Sequence, residues 1–141
     1  MLQPSRNENL EAVGEPWRVV REWIEAYNRE DTPAQSERAH FPMVNFGGAA
    51  LSRDVLDVEV REGPRDMPDR PRDPGWSHSV IDRWAVHQHS ERKAHVVIDF
   101  RRCRANGAPY GVALSRLSVV TREGGRWGVR AQSSCGLRHP A

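Results

Sequence analysis

Three residues in this sequence have side chains and settings suited to acid–base chemistry: Asp82, His40 and His78. Asp82 stands mid-strand between Ile81 and Trp84, where a carboxylate is disfavoured and must face water or find a partner. Turned inward against an apolar wall, it would have its pKa raised and could act as a general base. Paired with an arginine on a neighbouring strand, or simply exposed, it would do no chemistry. His40 lies at a helix-to-strand corner, where it could serve as acid or base, or cap the helix end. His78 is four residues from Asp82 on the same strand face, about 13 Å along a strand. The two are not a direct dyad, but they could flank one ligand.

Other chemistries are less well supported. His87 and His89 share a strand face and His95 lies across the expected hairpin, so the three could approach one another as zinc ligands do. They are flanked by Ser90, Glu91, Arg92 and Lys93, with no further carboxylate to orient the rings, and no metal is expected. Cys103 and Cys135 form no C-x-x-C pair, and there is no phosphate-binding glycine loop, G-x-S-x-G or H-E-x-x-H. No cofactor is expected. Two cysteines are too few for a disulfide framework, the N-terminus lacks the apolar region of a signal peptide, and no apolar run approaches the roughly 20 residues of a membrane span. These features suggest a reduced, cytoplasmic protein without a membrane partner. The 21 Lys and Arg are interspersed with 19 acids for a net charge of +2, which argues against a nucleic-acid partner, since that calls for a clustered basic face.

The elements that must position these residues are mostly strands. Trp76 to His89 is aromatic and branched with no Gly or Pro, and reads as a long strand. After the polar break at Ser90 to Lys93, Ala94, Val96, Ile98 and Phe100 alternate with polar or less buried positions, the period of a second strand. Asn106-Gly107 is a strong turn signal, and leads into a third strand from Tyr110 to Thr121. Glu123-Gly-Gly125 turns into a fourth, Arg126 to Ser134. Strands of about twelve residues exceed the usual five or six, so this antiparallel meander must twist and coil.

Upstream, residues 1–14 are polar and read as a flexible lead-in. An amphipathic helix is expected over Glu15 to Asn28, with Pro16 in its first turn and Trp17, Val20, Trp23 or Ile24, and Tyr27 at helical spacing. Thr32-Pro-Ala-Gln35 has the capping-box form, opening a short helix to about His40 that Phe41-Pro42 stops. Met43 to Phe46 is a short strand, Ala49 to Leu51 a second, and Ser52 to Val58 a short helix. Arg61 to Pro74 holds four prolines and eight charges; it is either a solvated connector or a lid over a pocket. The length of 141 residues fits one domain, 15–135, with a C-terminal tail at 136–141.

On Tyr27-Asn28, His40-Phe-Pro42, Gly75-Trp-Ser-His-Ser with Asp82, and Gly125-Arg-Trp-Gly-Val-Arg-Ala-Gln-Ser-Ser134, the chain resembles the nuclear-transport-factor-2-like superfamily. That is the cone fold of ketosteroid isomerases, SnoaL-type polyketide cyclases and limonene-epoxide hydrolases. The last two blocks are similar to a subgroup whose members mostly lack an assigned activity. The resemblance implies an α+β fold, a cone-shaped α+β barrel in which a strongly curved antiparallel sheet wraps around N-terminal helices. It implies a pocket lined by Trp23, Tyr27, Phe41, Asn45, Trp76, Tyr110, Arg116, Arg130 and Gln132, beside Asp82, His40 and His78, although the aromatic members could equally be core packing.

Ketosteroid isomerases carry an Asp on the strand after the second helix and a Tyr on the first. Here Asn45 and Phe46 occupy the first region and Trp23 the approximate second, which argues against that reaction. The epoxide-hydrolase arrangement would need a second inward carboxylate, and Asp99, between Ile98 and Phe100, is expected to point out. Two functions stay open, because one scaffold hosts many. One is a cofactor-independent isomerase, cyclase, dehydratase or hydrolase acting on a small, largely apolar molecule. The other is a non-catalytic ligand-binding or dimerisation domain whose outer sheet face, with Val97, Leu117 and Val119, pairs with a second copy as a homodimer.

Overall fold

A computed structural model of the chain describes residues 10–47, 58–67 and 75–137. Two helices, α1 (Leu10–Asn28) and α2 (Thr32–Glu37), precede six strands: β1 (Ala39–Phe46), β2 (Val58–Arg61), β3 (His78–His89), β4 (Lys93–Cys103), β5 (Leu114–Glu123) and β6 (Arg126–Gly136). The strands form one open sheet in the order β2-β1-β6-β5-β4-β3. The fold is α+β, as expected. The four-strand meander β3 to β6 is antiparallel throughout, but β1 joins it parallel to β6, so the sheet is mixed.

The turns are where the sequence places them. Gly107 has φ +86° and donates its N–H to the Arg104 carbonyl. Gly124 and Gly125 both take positive φ, which suits a tight hairpin closed by the pair Glu123 and Arg126. The expected start of the third strand is corrected. Residues 110–113 stay outside β5, which begins at Leu114; Pro109 has no N–H to give a ladder and Gly111 has φ +76°.

Further expectations are adjusted. Helix α1 begins at Leu10, so the lead-in is shorter than read, and Pro16 lies inside the helix rather than in its first turn. The cap of α2 is Asp31, one residue earlier than the capping box suggested; its carboxylate accepts the Ala34 N–H at 3.1 Å. The chain then enters β1 at Ala39, so α2 ends before His40. Between the helices, Glu30 takes φ +57° and donates to the Tyr27 carbonyl, closing α1 without a glycine. The readings at Ala49 to Leu51, at residues 52–57 of the short helix and at residues 68–74 of the proline-rich segment lie outside the described residues. Val58 belongs to β2, and Arg61, read as the start of a loop, is a buried strand residue.

One face of the sheet carries the core. Val96, Ile98 and Phe100 of β4, Leu114 and Val120 of β5, Val129 of β6 and Met43 of β1 are buried against Val19, Val20, Trp23 and Ile24 of α1. Each such side chain contributes about 1.5–3 kcal/mol on burial. Helix α1 touches β3, β4, β5 and β6, so the meander curves about it. Register shifts between Ile81 and Arg83, between Val86 and Gln88, and between Val119 and Val120 help a sheet of this kind to bend. Trp17 stacks on Trp84 at 4.4 Å with ring planes 8° apart, fastening the helix to the edge strand. Gly128 answers to close packing at the other side: a Cβ there would meet the His40 ring at 2.8 Å.

Candidate functional site

The inner face is not apolar throughout. Cross-strand register sets Arg116 beside Ser134 on β6 and Ile98 on β4, and sets Ser118 beside Gln132, which in turn neighbours Asn45 on β1. A polar band therefore crosses the interior from β5 to β1. Arg116 Nε donates to Ser134 Oγ at 2.9 Å, and its guanidinium lies over the Phe100 ring, 5.0 Å from the centroid. The residue is half-buried, but protein surrounds the charged head closely enough that desolvation lowers its pKa to about 10. The charge of Tyr27 opposes that shift and the Arg61 guanidinium adds to it. Among the described residues no carboxylate pairs with Arg116.

On β2 the register sets Glu59 opposite Asn45, at the end of the band, and Arg61 opposite Met43 on the same face. Arg61 is buried, and among the described residues its Nη2 lies 3.4 Å from the Glu59 carboxylate, its Nη1 reaches only the Met67 sulfur at 3.7 Å, and its Nε has no hydrogen-bond partner.

The end of α1 forms the rim. Asn28 Nδ2 donates to the Ser79 carbonyl at 2.9 Å and Ser79 N–H donates to Asn28 Oδ1 at 2.8 Å. Because β3 is the edge strand of the sheet among the described residues, Asn28 satisfies backbone groups that its neighbour β4 does not. Trp76 Nε1 donates to Ser79 Oγ at 3.2 Å, and the Trp76 ring lies 5.0 Å from that of Tyr27. Trp76 is buried, whereas Tyr27 is 46% exposed. Tyr27 is thus an aromatic at an opening rather than part of the helix's buried stripe.

Of the residues singled out from sequence, Tyr27, Trp76 and Arg116 come together here, and Asn45 and Gln132 adjoin on the same face. Trp23 is buried in the core and Phe41 packs against it. The Tyr110 ring lies against Gly75, next to Trp76, with the guanidinium groups of Arg102 and Arg104 at 5.4 and 5.3 Å from its centroid. Arg130 lies 3.8 Å from Glu123.

The acid–base trio does not share one place. Asp82 occupies the bulge between Ile81 and Arg83, is exposed, and accepts Arg101 Nε at 2.9 and 2.8 Å on its two oxygens. That hydrogen bond and the carboxylate charge raise the pKa of Arg101. His40 is held by Arg126: Nε2 lies 2.9 Å from the Arg126 carbonyl and Nδ1 lies 3.2 Å from its guanidinium, which fits a neutral ring protonated at Nε2. His78 Nδ1 lies 3.1 Å from Ser77 Oγ. Asp99 alternates outward from Ile98 and Phe100 and is buried under Arg83 at 3.3 Å. Among the described residues no three His, Cys, Asp or Glu side chains converge as metal ligands would.

Sequence reasoning missed Arg61, Phe100 and Ser134. The alternation Val58-Glu-Val-Arg61 was the available signal for Arg61, masked by the prolines that follow. Two surface hollows lie away from this site. One, of about 290 Å³, is lined by Glu15, Arg18, Glu22, Arg38 and Arg126; the other, of about 480 Å³, lies on the outer sheet face among His87, His95, Val97, Leu117 and Cys135.

No protein-family model matches the chain, and no curated protein matches it. Solved structures do. An NTF2-like protein of unknown function from Pseudomonas putida superposes with a TM-score of 0.69 at 15% identity, over 93% of this chain and 90% of that one. A ketosteroid isomerase-like protein from Erwinia carotovora superposes at 0.66 with 17% identity, over 92% and 98%. The chain has the nuclear-transport-factor-2-like cone fold. The association domain of C. elegans CaMKII shares that cone, at 0.62 and 17% identity over 90% and 99%. Within that fold, the Arg116 band lies on the sheet face that packs against α1.

Proposed function

We propose that this cone-fold protein binds a small molecule at the end of the cone where α1 finishes, between Tyr27, Trp76, Phe100 and Arg116. The observation that carries this reading is Arg116 itself: a cation kept on an inner wall, stacked on an aromatic ring and given, among the described residues, one hydroxyl partner but no carboxylate. A charge so placed is costly unless something compensates it, and a concave site of aromatics with a few polar groups is the usual form of a ligand pocket. Acid–base catalysis by Asp82, His40 and His78 gains no support, since each is engaged elsewhere. The test is a panel of small aromatic and aliphatic molecules titrated into isotope-labelled protein. Binding that shifts the resonances of Tyr27, Asn28, Trp76, Phe100 and Ser134 together is expected; shifts confined to the outer sheet face, or none, would overturn the reading.

A second reading, self-association through the outer face of the sheet, is supported by a separate observation. Register aligns Val58, Phe46, Ser133, Leu117, Val97 and Ala85 in one row and Val60, Val44, Ala131, Val119 and His95 in the next. Phe46, Val58, Val60 and Leu117 are exposed. Contiguous apolar surface of this kind marks an interface more often than a solvated face, and an association domain is among the structures with this cone. The two readings use opposite faces and are compatible.

A further inference from the structure

We propose that the ligand of the cone is an organic monoanion, a small carboxylate with an apolar or aromatic body, its carboxylate set against Arg116 and Arg61 and its body against Phe100 and Trp76. This rests on the ligand-binding reading above and names the chemical class that the site takes.

Charge balance is the first argument. Arg116 and Arg61 lie on the same inner face of the sheet, and Glu59 is the single carboxylate within ion-pair distance of either among the described residues. The cluster therefore carries one uncompensated positive charge, which a monoanion neutralises. A dianion such as a phosphate would overshoot and would cost more to desolvate on a half-buried wall.

Donor geometry is the second. Arg61 is buried with its Nε unpartnered, and a buried donor left without an acceptor is rare enough to need an explanation. Arg116 spends its Nε on Ser134, and no other protein acceptor engages it among the described residues. Guanidinium groups match the two oxygens of a carboxylate. The surroundings fix the remainder of the ligand: Phe100 lies beneath Arg116, and Trp76 and Tyr27 face one another at the rim. These surfaces suit a ring or short hydrocarbon.

Calorimetry with phenylacetate, phenylacetamide and phenylethanol as probes, at fixed ionic strength, tests the proposal on the wild-type chain and on Arg116→Met and Arg116→Gln. Two variants are used so that a folding defect in one does not decide the result, and near-ultraviolet circular dichroism checks both. The wild-type chain is expected to prefer phenylacetate over the amide by roughly ten- to a hundredfold, the range of a hydrogen-bonded charge. Both variants are expected to lose that preference while still binding the alcohol. Equal affinity for all three probes would overturn the anion assignment and leave the ligand pocket standing. Binding of none would overturn both. A preference that survives in the variants would remove Arg116 from the site, and inorganic phosphate binding more tightly than phenylacetate would overturn the carboxylate class.

Discussion

Asn28 and Ser79 hold one another through two hydrogen bonds, side chain to main chain in both directions, at 2.9 and 2.8 Å across 51 residues of sequence. The last residue of α1 thereby acts as a short stretch of strand for the edge of β3, fixing where the helix ends relative to the sheet. Tyr27 precedes Asn28 and Trp76 bonds to the Ser79 hydroxyl, so one contact places both aromatics of the rim. Asn28→Ala leaves the N–H and C=O of a buried Ser79 without these partners. A loss of about 1–3 kcal/mol is expected in urea denaturation, with a change in the near-ultraviolet signal of Trp76. An unchanged midpoint would mean that water substitutes for the amide and that the rim is fixed by other contacts.

Asp82 provides the contrasting case. Its ion pair with Arg101 is exposed on both sides, and solvent and salt screen such pairs. Asp82→Asn is expected to leave the denaturation midpoint nearly unchanged and ligand binding within error of wild type. A large loss of binding or of a newly found activity would return Asp82 to the centre of the account.

Arg116 gives a prediction in pH. Its folded pKa, near 10, lies well below the ordinary guanidinium range because burial disfavours the cation. Below about pH 10 both folded and unfolded chains carry the proton, and the folded state bears the full cost of the buried charge. As pH rises above 10 the folded chain releases the proton first, the unfolded chain holds more protons, and stability gains. Arg116→Met lacks this dependence. The variant is expected to be more stable than wild type near neutral pH, and denaturation curves should show that advantage shrinking above pH 10. An advantage that grows with pH would contradict the assignment.

On the outer face, Leu117 lies mid-row between Ser133 and Val97 and is 37% exposed. If this face joins two copies, Leu117→Arg places opposed charges at the interface and should convert a dimer to a monomer in sedimentation velocity, with little loss of fold. A wild-type chain that sediments as a monomer at all concentrations would contradict that reading.

The elements legible in the sequence are those whose signals are local. Strand alternation over Ala94 to Phe100, the glycine turns at Gly107 and at Gly124 and Gly125, and the helical spacing of Val20, Trp23 and Ile24 all rest on residues near one another, and all appear in the structure. The rim was legible through Tyr27-Asn28 and Gly75-Trp-Ser-His-Ser, which the fold joins. What escaped depends on distant neighbours. The parallel pairing of β1 with β6 has no local mark. Arg61 was hidden because Gly63 and Pro64 follow it at once, and its burial is settled by Met43 across the ladder. The partner of Asp82 could be named only as a class, since Arg101 lies across a bulge that shifts the register.

The most direct measurement is a crystal structure of the protein grown with phenylacetate or with the tightest member of the small-molecule panel. The account predicts ligand density flanked by Trp76 and Phe100, with an oxygen at hydrogen-bonding distance from the Arg116 guanidinium. Density only in the outer groove beside Leu117, or in the charged cleft beside Arg38 and Arg126, with Arg116 unchanged, would contradict it.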